Sequence, residues 1–176
     1  MRTYTLLLMA SILLTVPAES QARDSTTPTI LPSGSLLALI DAFLTRPFAN
    51  PDLRTALIDS AEARSDVAIT ISQQLLPWIL ETDTTVFRRA MRALFLSAFV
   101  AGNMREQLVS RVKGDQPYPG VVAVLDVYLM VRARAPAYRQ PTLDEWLHLR
   151  EQGKLRQHVA QLARPGKLHS RLTRAT

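Results

Sequence analysis

Apolar positions recur along the chain at three- and four-residue intervals, the spacing of one helix face. Leu36, Leu37, Ile40, Phe43 and Leu44 mark a first helix over 36–46, stopped by Pro47. Asn50-Pro51-Asp52 opens a second: Asn50 as N-cap, Pro51 at the first helical position, and Asp52 at the positive end of the helix dipole. Leu53 and Leu57 carry its apolar face. After Ser65-Asp66 the run VAITISQQLLPWIL is ambiguous. Val67, Ile69 and Ile71 alternate as in a strand, yet Val67, Ile71, Leu75 and Trp78 also share a helical face. No other segment offers a partner strand, so a helix is expected, kinked near Pro77.

The second half is more strongly periodic. Asp83 is placed to cap a helix over 84–101, with Phe87, Met91, Leu94, Phe95, Ala98 and Phe99 in one stripe. Ala90, Ala93, Ser97 and Ala101 form a small-residue stripe beside it, which would admit a close neighbour. Gly102 reads as a left-handed stop, followed by a short polar helix over 103–113 that ends at Gly114. Tyr118-Pro119-Gly120 leads into VVAVLDVYLMVRAR, apolar nearly all round and so expected at the centre of the domain. Thr142 and Glu145 have the spacing of a capping box for a helix ending at Gly153. Leu155, Val159 and Leu162 mark one more before Pro165-Gly166. The expectation is an all-α fold: one compact domain over 36–163 of about seven to eight short helices, a bundle or a short repeat-like stack. No repeat period emerges along the chain.

The N-terminus departs from this pattern. Arg2 is followed by an apolar run from Leu6 to Val16, ended by Pro17. The run is shorter than the roughly 20 residues that span a bilayer, and Ser20-Gln21-Ala22 places small residues where a signal peptidase reads. Residues 1–22 therefore read as a cleaved signal peptide, and 23–35, rich in Ser, Thr and Pro, as a flexible lead-in. A secreted or periplasmic protein is expected. With no Cys in the chain there is no lipoprotein anchor and no disulfide, so stability must come from packing.

Charge placement says more than the net charge of +6. Lys154, Arg156, Arg164, Lys167, Arg171 and Arg174 lie beyond Gly153 with no acid among them, which leaves residues 23–152 neutral. Residues 164–176 read as a basic, disordered tail, with Arg164, Lys167, Arg171 and Arg174 as candidate contacts to an anionic surface. Nucleic acid is disfavoured by the export signal, and the aromatic residues do not interleave with basic ones as a base-stacking platform would.

Candidate chemistry is sparse. The chain has no phosphate loop, no nucleophile elbow, no His-Glu-x-x-His and no calcium loop, and its lack of Cys excludes thiol catalysis. No cofactor and no metal is implied. Asp144 and His148 share a helix face, but two ligands do not make a tight site, and Asp144 already suits a first helical turn. Asp126, set within apolar Val121–Val131, is the candidate buried polar residue. It reads as a structural ion pair, for instance with Arg92 or Arg105, or else as a general acid or base with raised pKa. Asn103 and Gln107 share a face and suit either a peptide or glycan ligand or the capping of a loop backbone. Trp78 and Trp146 are expected in the core. The pattern points to a non-catalytic protein- or peptide-interaction module. Its alternatives are an anionic-surface binder acting through the basic end and an enzyme assembled around Asp126, Asp144 and His148.

Overall fold

The computed structural model describes residues 31–80 and 85–164. Among them the chain is all-helical: α1 (Ser33–Thr45), α2 (Pro51–Ala63), α3 (Val86–Ser110), α4 (Pro117–Arg134), α5 (Pro141–Glu151) and α6 (Leu155–Leu162), with a 3-10 turn at Pro77–Leu80. No strand occurs among the described residues. The expected leader, most of the lead-in, Asp83 and the tail from 165 onward lie outside them. α1 begins at Ser33, so the last residues assigned to the lead-in are helical.

The start of α2 follows the sequence reading: Asn50 Oδ1 accepts the Asp52 N–H at 2.8 Å, with Pro51 beginning the helix. Residues 67–76 do not form the expected helix. This segment crosses the body as an irregular strap, and Gln107 holds it in place of an internal ladder. The Gln107 side chain accepts the Ala68 N–H at 3.0 Å and donates to the Ala68 carbonyl at 2.8 Å. Pro77 begins the 3-10 turn instead of kinking a longer helix.

α3 runs unbroken through Gly102 to Ser110, merging two expected helices. The glycine is there for closeness, not for a stop. A Cβ on Gly102 would lie 2.5 Å from the Pro119 carbonyl oxygen and 2.6 Å from the Ala123 Cβ. A Cβ on Gly120 would meet the Phe99 ring at 2.8 Å. The two glycines therefore let α3 and α4 approach almost backbone to backbone. The predicted small-residue stripe does not serve this purpose along its length, since Ala90 and Ala93 are exposed. Left-handed backbone terminates the helix at Arg111 (φ 57°).

Asn103 and Gln107, buried in the middle of α3, join two loops to the helix. Asn103 Nδ2 donates to Asp115 Oδ1 at 2.6 Å, and its Oδ1 accepts from Gln107 Nε2 and from the Gln116 N–H. Burial without partners would cost a few kcal/mol per amide, and the network removes that cost.

Around the α3–α4 pair, α1 and α2 pack on α3, and α5 and α6 pack on α4. Trp78 and Trp146 are buried and meet edge to face with centroids 5.5 Å apart, extended by Phe95 and Tyr128. The capping box at Thr142 does not form. α5 starts two residues earlier than that cap requires, at Pro141 with Gln140 as N-cap, which places Thr142 inside the first turn. Among the described residues no helix is long and apolar enough to cross a membrane.

Candidate functional site

α4 has little amphipathic character, because apolar residues surround it on nearly every side. Its Gly120 face is buried on α3, and Tyr128 and Leu125 are buried in the core. The remaining face has no covering helix. It forms the floor of an open groove of about 710 Å³, within the range typical of ligand and peptide sites.

The floor is built from Tyr118, Val122 and Met130, all half-buried. One wall comes from α3 and the end of α1, with Gly102, Arg105, Glu106 and Leu44. An ion pair ties these two helices together: Arg105 Nε donates to Asp41 Oδ1 at 2.8 Å. The other wall is α6, through Arg156, Val159 and Ala160. Arg156 sits over the face of Tyr118, its guanidinium carbon 4.1 Å from the ring centroid. The lining is mainly apolar, with Arg105, Glu106 and Arg156 on the walls and Asp126 in the floor between Val122 and Met130.

Asp126 also lines this groove, but it is not the buried acid expected from its neighbours. Its side chain is 55% exposed and accepts from Arg150 Nη1 of α5 at 2.7 Å. An ion pair to a neighbouring helix does form, although with neither Arg92 nor Arg105. The apolar run around Asp126 is explained by the other faces of α4, which are covered by three helices.

Asp144 lies elsewhere. Its Oδ1 accepts from the Tyr128 hydroxyl at 2.8 Å and from Arg132 at 3.2 Å, fastening α5 to α4. The Tyr128 hydroxyl in turn accepts the Gln140 N–H at 3.1 Å. Burial pushes the Tyr128 phenol above its ordinary value, with the neighbouring Asp144 charge acting in the same direction. His148 is exposed and contacts Gln152 and Glu151. Asp126, Asp144 and His148 thus hold separate partners, and no hydrogen bond joins any two of them. Among the described residues no group of three or more potential ligands is placed to hold a metal ion. Arg164 ends the described chain, exposed, while Lys167, Arg171 and Arg174 lie beyond it.

Asn103 and Gln107 serve the loop backbone and do not line the groove. Of the groove residues, sequence reasoning counted Arg156 only within the basic end and did not single out Val122 or Tyr118 as a site. Their signal was the all-round apolarity of the fourth helix, which implies a centre only if enough helices exist to cover every face. No protein-family model matches the chain, and comparison with characterised proteins and with solved structures finds no match.

Proposed function

We propose that this chain is an exported, non-catalytic interaction module that takes an apolar segment of a partner protein into the groove over α4. The observation that carries this reading is the uncovered face of α4 between two helical walls, apolar at Tyr118, Val122 and Met130 and interrupted by Asp126, which Arg150 neutralises. Surface helices ordinarily turn polar residues outward, and an apolar strip left in a concave site suits a segment that brings apolar anchors of its own. Val122 and Met130 are already half-buried, so completing their burial contributes only about 1 kcal/mol each. Anchors on the partner must supply most of the affinity. The separate engagements of Asp126, Asp144 and His148 give no support to an enzyme built on them.

Panning a phage-displayed random peptide library on the purified full chain tests the reading. Peptides should be enriched whose affinity falls about tenfold or more on Val122→Asp, because the added carboxylate, unlike Asp126, has no Arg150 to pair with and must be desolvated by the ligand. The variant should retain its helical circular dichroism and cooperative unfolding, with a modest fall in melting temperature from the half-buried site. Enrichment of no peptide, or of peptides indifferent to Val122→Asp, would overturn the reading.

A further inference from the structure

The groove's charges are not equally satisfied. The charged residues lining it are Arg105, Glu106, Asp126 and Arg156. Two are neutralised within the molecule, Asp126 by Arg150 and Arg105 by Asp41. Arg156 differs: it forms no ion pair among the described residues, and its one defined contact is the stack on Tyr118.

That stack matters for what the guanidinium can do. The Tyr118 ring holds the planar cation by its face, an arrangement favoured by the ring quadrupole. The Arg156 N–H donors have no hydrogen-bond acceptor among the described residues, and the ring contact restrains the side chain. A planar guanidinium with unengaged donors at the border of an apolar groove matches a carboxylate through two parallel hydrogen bonds. Across the groove, half-buried Glu106 on α3 also has no cation partner among the described residues. It disfavours an acid near its own wall, so the two residues together favour one placement of an acidic ligand group, at the α6 wall.

Resting on the peptide-binding reading, we infer that the segment bound in this groove is an acidic-apolar one, and that Arg156 receives its carboxylate. The selection experiment, extended to a second target, separates this inference from the reading beneath it. Peptides enriched on the unaltered chain should share an Asp or Glu at a fixed distance from their apolar anchors. Replacing that acid by its amide in a synthetic peptide should weaken binding about tenfold, and added salt should narrow the difference. Panning on Arg156→Glu should enrich Lys or Arg at the same position. This variant is expected to fold, since Arg156 is exposed on a helix surface. An apolar consensus with no acid, or the same acid enriched on Arg156→Glu, would refute the role of Arg156 and leave the apolar groove reading standing. Failure to enrich any groove-dependent peptide would remove both.

Discussion

Three side chains show how far local chemistry depends on which face of a helix it occupies. Asp126 has apolar neighbours in sequence on both sides, yet it stands on the uncovered face of α4, where it meets solvent and Arg150. Linear neighbours on a helix point in different directions, so a run of apolar residues does not bury the charge within it. Asp126→Ala should therefore change stability by less than about 1 kcal/mol in urea titration, as exposed ion pairs generally do. A loss of several kcal/mol would mean that the carboxylate is integral to the packing. Gly102 is the opposite case, a residue of little chemical content on which packing depends. Gly102→Ala should destabilise by about 1–3 kcal/mol through overpacking against the α4 backbone, which has no side-chain freedom to yield. Gly34→Ala, with open space around its added methyl, should be neutral or slightly stabilising. Equal effects in the two variants would deny the close helix approach. Tyr128 carries the pH dependence. Its folded-state pKa is raised above the ordinary 10.0, so the protonated phenol is favoured by the fold. Its contribution is complete below pH 10 and is lost as pH rises through the folded pKa. Alkaline titration of the melting temperature should show this loss, and Tyr128→Phe should flatten it. An unchanged alkaline limb in the variant would assign the loss to other groups.

Helices with capping residues and clean apolar stripes were legible before any coordinates. α2 begins where Asn50-Pro51-Asp52 requires, and α6 spans the interval set by Leu155 and Leu162. Reading failed where long-range contacts overrode local preference. Gly102 has the signature of a C-cap, but its lack of a side chain is used sideways, by Pro119 and Ala123, so the helix continues. The segment after Ser65 carries a helical apolar face, but its β-branched residues weaken helix propensity, and Gln107 offers its backbone alternative hydrogen bonds. In both cases the deciding partner lies far away in sequence, where periodicity carries no information. Thr142 and Glu145 failed for a local reason: they have capping-box spacing, yet Pro141 suits the first helical position and draws the start of α5 two residues earlier.

The assembled helices follow the same division. The all-α class was readable from period and composition, whereas the VVAVLDVYLMVRAR helix, expected at the centre, packs on α3, α5 and α6 but keeps one face uncovered. The groove was not readable. It arises because α3, α6 and the end of α1 border the free face of α4 without closing over Val122, and that depends on crossing angles and loop lengths that one sequence does not encode legibly. The acids and imidazoles that attracted attention in the sequence proved to be fasteners between helices or exposed surface groups. The residues that shape the groove are ordinary ones, mostly apolar, with Arg105, Glu106 and Arg156 at its edges. The cysteine-free chain allows the central claim to be tested by placing one thiol at a time. Val122→Cys puts a thiol in the floor, and Thr55→Cys puts one on the exposed surface of α2, away from the groove. The decisive measurement is the alkylation rate of each thiol with and without a saturating, library-selected peptide. Slowing by about tenfold or more in the Val122→Cys variant, with no change in the Thr55→Cys variant, is the expected result, since a seated ligand excludes reagent from the floor. Equal rates for the floor thiol in the presence and absence of bound peptide would contradict the claim that the face of α4 is where this protein binds.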